Sequence, residues 1–188
     1  MAALRVPTIP NSPLASPEAG EQFGEIALRR SEALGLVENG AFDPALATYD
    51  DSYQNSQAHS PSFHAHMASV AALLKRHFPP GASLVEVGCG KGDFLALLEA
   101  DGHFRIAGFD TTYEGTNPNV QKRYLSYADR IEADVVVLRH VLEHVQRPHE
   151  FLAMLASVFR GARLYIEVPS LDWIVQNGAF FDVTSTSG

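Results

Sequence analysis

Strand-like and helix-like hydrophobic patterns alternate along the second half of the chain. Continuous apolar runs at 83–87, 133–140 and 164–168 are typical of buried strands, and shorter strands are predicted at 105–109 and 123–125. Between them, apolar residues recur at helical spacing in three places, beginning at Ser60-Pro61, at Phe94 and at Arg147-Pro148. Strands that alternate with helices predict an α/β fold built on a mostly parallel sheet.

The first third of the chain has a different composition. Residues 1–20 are rich in Pro, Ser and Ala, which predicts a disordered tail. Residues 21–58 are interpreted as a lead-in or lid segment that contains a short helix over 23–36. The main domain is predicted over 59–183, and residues 184–188 form a short polar tail.

Composition narrows the function classes. The 188 residues are 46% hydrophobic and 19% charged, as expected for a globular domain with a sizeable core. A net charge of −8 argues against a nucleic-acid partner. The single cysteine excludes an internal disulfide and a multi-cysteine metal site, so no metal is expected. Without a signal peptide or a long apolar run, the sequence predicts a cytoplasmic protein that does not span a membrane.

The candidate chemistry begins where the 83–87 strand ends. The segment Gly88-Cys89-Gly90-Lys91-Gly92 separates this strand from the helix that starts near Asp93. Glycines at a helix N-terminus let a ligand approach bare backbone. The spacing is neither the G-x-G-x-x-G of dinucleotide binders nor a phosphate-binding loop. By analogy with dinucleotide folds, a ribose-binding acid is expected about twenty residues on, and Asp110 lies there. The alternative, an ordinary turn with an incidental acid, remains open. Cys89 is interpreted as a packing residue rather than a nucleophile.

The phrase Glu86-Val-Gly-Cys-Gly-x-Gly-Asp-Phe-Leu resembles the first motif of class I S-adenosylmethionine-dependent methyltransferases. The resemblance implies a Rossmann-like three-layer α/β/α fold with S-adenosylmethionine as cofactor. It also implies that the glycine turn holds the methionine part and that Asp110 holds the ribose. The implied cofactor-binding residues are Glu86, Gly88, Cys89, Gly90, Asp93, Asp110, Arg139, His140 and Gln57.

A second set of segments looks like a subgroup related to sugar C-methyltransferases. It comprises the lead-in around Tyr53 and Gln57 and the Arg-His-Val-Leu-Glu-His-Val phrase at 139–145. This resemblance implies a small-molecule acceptor, such as a nucleotide-linked sugar, with His140 and Tyr53 as catalytic base or orienting residues. For Glu143 and His144, a role in the site and a role in holding a turn both remain open.

The resemblance also implies seven strands, of which the last two form an antiparallel hairpin. The sequence predicts five, in the order 3-2-1-4-5, and only twenty residues follow Val168. We therefore expect the hairpin to be missing, the domain to be C-terminally incomplete and the last strand to be an open edge for a homodimer. A catalytically inactive cofactor-binding or partner subunit is the alternative function. A nicotinamide-dependent dehydrogenase is disfavoured because G-x-G-x-x-G is absent.

Overall fold

The computed structural model describes residues 3–7, 23–33, 35–46 and 60–179. The described residues divide into two compact units. The larger lies within 55–142 and 150–167, and the smaller within 1–54, 143–149 and 168–188.

The smaller unit contains two antiparallel strand pairs. Strand β1 (Leu4–Pro7) pairs with β2 (Phe23–Ile26), and β3 (Leu28–Ser31) pairs with β4 (Leu36–Asn39). Val6 and Ile26 are buried together in a small cluster. Buried Asn39 stabilises the region by accepting from Ala27 N at 2.8 Å and donating to Glu25 O at 2.9 Å.

These strands correct two predictions. Leu4–Pro7 lies within the segment predicted to be a disordered tail, yet it forms a paired strand. The helix predicted over 23–36 is wrong, because burial in β2 alternates with a period of two and its partner strand lies far away in sequence. Long-range strand pairing therefore outweighs the local composition here.

The larger unit is built on a five-stranded parallel sheet. Its strands are β5 (Ser83–Val87), β6 (Arg105–Phe109), β7 (Val120–Gln121), β8 (Val135–Arg139) and β9 (Arg163–Glu167). They lie in the order β7-β6-β5-β8-β9, which confirms the predicted order 3-2-1-4-5. The third strand is at 120–121 rather than 123–125, because the backbone turns after Gln121, where Arg123 N donates to Gln121 O at 3.0 Å.

Three helices cover the two faces of this sheet. They are α1 (Pro61–His77), α2 (Asp93–Asp101) and α3 (Pro148–Val158), and a fourth helix, α4 (Leu171–Asn177), belongs to the smaller unit. Leu84 lies in the cluster that includes α1 and α2 residues, whereas the adjacent Val85 lies in the cluster that includes α3 residues. Successive side chains of a strand point to opposite faces, so each strand contributes to both cores. Each fully buried aliphatic side chain contributes about 1.5–3 kcal/mol.

Helix α1 ends and begins where the sequence predicts. Ser60 caps it by accepting from Phe63 N at 3.3 Å, and Pro61 occupies the first turn, where a missing N–H costs nothing. None of the helices in the described part of the chain is both long and apolar enough to cross a membrane.

Strand β9 lies at the edge of the sheet. Among the described residues it pairs only with β8, and no antiparallel hairpin follows it. Leu164 and Ile166 on this strand are 41% and 39% exposed. The homodimer through this edge stays a prediction.

Candidate functional site

The candidate site lies at the carboxyl ends of the parallel strands, within the larger unit. The ends of β5, β6, β8 and β9 share one edge of the sheet because the strands run in the same direction. In open parallel sheets this edge is where ligands bind.

The glycine turn after β5 is held by backbone hydrogen bonds. Gly88, Gly90 and Gly92 all have positive φ, of 76°, 54° and 83°. Gly88 N donates to Phe109 O at 2.7 Å, which fixes the turn against the end of β6. A Cβ on Gly88 would collide with the Val141 side chain, whereas a Cβ on Gly90 would meet nothing within 4 Å. The turn is therefore closed on the Gly88 side and open at Gly90.

The turn leads directly into α2. Gly92 precedes the helix and provides no side-chain cap, and Asp93 occupies the first turn. The negative charge of an acidic residue in the first turn interacts favourably with the positive end of the helix dipole. The N–H groups of the first turn have no partner within the helix and can donate to hydrogen-bond acceptors of a ligand.

Asp110 follows β6 and ties the turn to the neighbouring strand. Its Oδ2 accepts from Gly90 N at 2.7 Å. Its Oδ1 accepts from Thr112 N at 2.7 Å and from Thr112 Oγ1 at 2.8 Å. A carboxylate offers about four lone-pair directions, so Oδ2 retains room for one further donor, as a ribose hydroxyl would supply.

The side chain of Cys89 belongs to the core. It is buried, and its Sγ lies 3.0 Å from the position that a Cβ would take on Gly108. Burial is the largest cause that raises the pKa of this thiol well above its usual range. This supports the interpretation of Cys89 as a packing residue. Because its side chain is in the core, the predicted contact of Cys89 with the cofactor would be made by its backbone atoms.

Glu86 and Arg139 are buried ionisable residues on adjacent strands, and both face the α1 and α2 side of the sheet. Burial raises the pKa of Glu86 to about 8, although the positive charge of Arg139 opposes the rise. The Arg139 guanidinium lies over the Phe94 ring at 4.6 Å and over the Phe63 ring at 5.5 Å. Glu86 Oε2 and Arg139 Nη2 have no hydrogen-bond partner among the described residues. Buried polar atoms without partners are costly, so each is suited to a polar ligand group.

Glu167, at the end of β9, gathers four polar side chains. His66 Nε2 and His140 Nε2 lie 2.9 and 3.2 Å from Oε1. The Tyr165 hydroxyl lies 3.1 Å from Oε2, and Arg139 Nε lies 3.4 Å from it. Burial alone would raise the pKa of Glu167, but the hydrogen bonds from His140 and His66 and the Arg139 charge hold it well below its usual range. Glu167 is therefore a carboxylate at neutral pH.

His140 has an unusual backbone conformation. It is the one residue other than glycine with a positive φ in the described part of the chain, at 53°. Its backbone N donates to Glu167 O at 2.9 Å, which continues the β8–β9 pairing by one residue. Strained backbone of this kind concentrates at functional sites.

The structure thus places eight of the predicted residues at one edge of the sheet. They are Glu86, Gly88, Cys89, Gly90, Asp93, Asp110, Arg139 and His140. Tyr53 and Gln57 lie outside the described residues, so their predicted roles stay predictions. Glu143 and His144 lie in a single 3-10 turn, with Glu143 Oε1 3.9 Å from His144 Nε2.

Sequence reasoning missed Glu167, His66 and Tyr165. One signal was available for Glu167, since it is an acid at the carboxyl end of an otherwise apolar strand. His66 carried no such signal, because its partner lies 101 residues away.

The fold and this site define a Rossmann-like methyltransferase domain of class I. The order of the strands, the glycine turn and the acid after the next strand meet the requirements of that class. The open space at Gly90 and the unmatched atoms of Glu86 and Arg139 are compatible with S-adenosylmethionine.

Comparison with known proteins shows the family. Residues 59–183 match the family model described as "Methyltransferase domain", so the chain belongs to the methyltransferase domain family. This confirms the predicted enzyme class and its cofactor, S-adenosylmethionine. No curated protein sequence matches the chain.

Several solved structures are similar to this chain, and the first of them shares its fold. A complex between the Haloferax volcanii Trm112 methyltransferase activator and a protein assigned as a methyltransferase matches with 18% identity and a TM-score of 0.53, covering 75% of this chain and 70% of that one. Magnesium protoporphyrin IX methyltransferase from Synechocystis PCC 6803 with bound S-adenosylhomocysteine matches with 21% identity and a TM-score of 0.48, covering 62% and 61%. The plantazolicin methyltransferase BpumL matches with 17% identity and a TM-score of 0.46, covering 66% and 54%. The chain thus spans less than two thirds of the length of the last two.

Proposed function

We propose that this chain binds S-adenosylmethionine at the carboxyl edge of its sheet and transfers the methyl group to a small molecule. The observation that carries the proposal is the hydrogen bond between Asp110 Oδ2 and Gly90 N. It fixes the open glycine turn against the acid that follows the next strand. Such preorganisation lowers the entropic cost of binding.

In this proposal, different residues of the site contact different parts of the cofactor. Asp110 would accept from a ribose hydroxyl, and the backbone at Gly90 would lie against the cofactor. The Glu86 carboxyl group could accept a hydrogen bond from the ammonium of an amino acid, and Arg139 Nη2 could donate one to its carboxylate. When bound, the cofactor supplies an electrophilic methyl group, and the chain mainly aligns the acceptor with it.

The acceptor is proposed to be a nucleotide-linked sugar or a related metabolite. The support is the resemblance of the lead-in and of residues 139–145 to the sugar C-methyltransferase-related subgroup. His140, and Tyr53 in the lead-in, are the proposed base and orienting residues. An inactive partner subunit is not favoured, because the described site keeps the glycine turn, the acid and a base candidate together.

The first experiment is calorimetric titration of the full chain with S-adenosylhomocysteine. We expect saturable binding that weakens at least roughly tenfold in Asp110→Ala, since a hydrogen bond to a charged group contributes about 1.5–3 kcal/mol. Thr112→Ala is the matched control, because it removes a donor to Oδ1 and leaves the Oδ2–Gly90 bond in place. Equal affinity in Asp110→Ala and wild type would contradict the proposed site.

The second experiment identifies the acceptor. The full chain is incubated with methyl-labelled S-adenosylmethionine and a panel of nucleotide-linked sugars, and the products are analysed by mass spectrometry. Label on a sugar carbon or oxygen supports the proposed substrate class. Binding of S-adenosylhomocysteine without any transfer to the panel would favour the inactive cofactor-binding alternative.

A further inference from the structure

The Glu167 cluster consists of Glu167 and the four polar side chains that contact its carboxylate. Glu167 is mostly buried, and its two oxygens contact a histidine of α1, a histidine after β8, a tyrosine of its own strand and an arginine of β8. Four contacts restrict the carboxylate to one position. A group held this firmly can orient another.

His140 is tied to Glu167 twice. Its backbone N donates to the Glu167 carbonyl at 2.9 Å, and its Nε2 lies 3.2 Å from the Glu167 carboxylate. The positive φ of His140 turns the chain at the end of β8, in the region where parallel sheets bind their ligands. The two contacts maintain a conformation that a residue with a Cβ otherwise disfavours.

We propose that Glu167 is a positioning residue that holds the His140 imidazole as the proton acceptor of the transfer reaction. The inference rests on the proposed function and deepens it, since it selects acceptors whose reacting atom must lose a proton, such as a hydroxyl oxygen or an acidic carbon. Glu167 acts through His140 and contacts neither substrate nor cofactor in this proposal.

The chemistry follows from the hydrogen bond. When Nε2–H donates to the carboxylate, the neutral imidazole keeps its lone pair on Nδ1. The acceptor atom forms a bond to the methyl carbon, the carbon–sulfur bond breaks and sulfur keeps its electron pair. The proton of the acceptor passes to Nδ1. Glu167 then stabilises the imidazolium, in the way that a buried carboxylate stabilises a catalytic histidine.

The charges around the carboxylate are compatible with this role. Arg139 is the cation on the neighbouring strand, and Glu86 adds little negative charge at neutral pH because burial favours its protonated form. The remaining titratable groups around Glu167 are His66, His140 and Tyr165. His66 is the competing histidine, because it contacts the same oxygen at 2.9 Å, but it lies on a regular helix without backbone strain.

The test follows the ring nitrogens of His140 by NMR on the full chain labelled with 15N-histidine. The chain has eight histidines, so His140→Gln assigns the signal. We expect a proton on Nε2 in the neutral form and a titration midpoint that falls by about one pH unit or more in Glu167→Gln, because an opposite charge within about 4–6 Å favours the charged form. Glu132→Gln, at an exposed position before β8, is the matched control and leaves the midpoint unchanged.

Other outcomes overturn the proposal. A His140 midpoint that is the same in Glu167→Gln and wild type would show that the carboxylate does not act on this ring. A neutral form with its proton on Nδ1 would leave no lone pair for the acceptor. If Glu167→Gln does not fold, the tautomer of His140 in the wild-type chain is the deciding measurement, and a neutral form with its proton on Nδ1 contradicts the proposal.

Cofactor binding is measured on the same samples with S-adenosylhomocysteine. Its addition should shift the His140 signals and leave those of His77, at the C-terminus of α1, unchanged. If S-adenosylhomocysteine does not bind, the proposed function fails whatever His140 shows. If it binds and the His140 signals stay unmoved by Glu167→Gln, the positioning role alone fails.

Discussion

Alanine substitutions at three glycines of the larger unit test how closely the turn after β5 and its neighbouring strand are packed, because the three positions differ in backbone conformation and in the space around a Cβ. Gly90 has a positive φ of 54° and open space where a Cβ would lie. Gly108 has an ordinary φ, but its Cβ would lie 2.5 Å from Leu95 Cδ1 and 3.0 Å from Cys89 Sγ. Gly88 combines both problems, with a φ of 76° and a collision with Val141.

The expected costs of alanine follow from these geometries. A left-handed backbone costs a residue with a Cβ about 1–2 kcal/mol, which is the whole cost expected for Gly90→Ala. Overpacking of a filled core costs about 1–3 kcal/mol, which is the whole cost expected for Gly108→Ala. Gly88→Ala should incur both and lose roughly 2–5 kcal/mol of the free energy of unfolding.

Urea unfolding followed by circular dichroism measures all three variants against the wild type. A cost for Gly88→Ala no greater than that for Gly90→Ala would show that Val141 moves aside freely, and would refute the view that the turn is packed against it. Calorimetry on the same samples adds a functional contrast. Gly90→Ala should retain most of its stability yet bind S-adenosylhomocysteine at least roughly tenfold more weakly, because the new methyl group enters the space proposed for the cofactor.

Two further predictions concern buried titratable groups. The pKa of Glu86 is about 8 in the folded chain, against 4.5 for an unburied carboxyl group such as that of the unfolded chain. Between these pH values the folded chain holds one proton more than the unfolded chain. The free energy of unfolding therefore falls as the pH rises from 5 to 8, by up to about 5 kcal/mol. Glu86→Gln mimics the protonated form and should flatten this dependence in urea unfolding measured at several pH values; an unchanged slope would contradict the assignment. Because burial suppresses its thiolate, Cys89 should react with an aromatic disulfide reagent at least roughly a hundredfold more slowly in the native chain than in urea. Equal rates in the two conditions would show that the thiol is accessible.

The candidate site was predicted from sequence as far as its signals were local. The glycines at 88, 90 and 92 demand a special backbone, and the acid at Asp110 follows its strand at the expected distance. Each of these features can be recognised from residues close together in the chain. The order of the five strands was also predicted, because the resemblance to the methyltransferase family supplied it.

The features that were missed depend on contacts between distant residues. The carboxylate of Glu167 meets His66 across 101 residues and Arg139 across 28. The partnership with Arg139 depends on the register of β8 against β9, which sets Arg139 opposite Glu167. A shift of that register by one residue would move the pair to opposite faces of the sheet.

The N-terminal strands illustrate the same difference. The pattern over 23–36 is compatible with a helix, yet Phe23–Ile26 forms a strand that pairs with Leu4–Pro7. Leu4–Pro7 is itself part of the segment 1–20, whose Pro-rich and Ser-rich composition predicts a disordered tail. Short segments have weak intrinsic preferences, so the partner that a segment meets in the folded chain decides its structure.

The sequence by itself determined the class of fold, the glycine turn and the acid of the next strand, because each depends on local periodicity or on the conformational freedom of glycine. The cofactor followed from the resemblance of these residues to the methyltransferase family. Only the tertiary structure decided that Glu86 is buried enough to hold a proton and that the Glu167 carboxylate contacts both Arg139 and His140. Those properties arise from burial and from strand register, which are set when distant segments pack together.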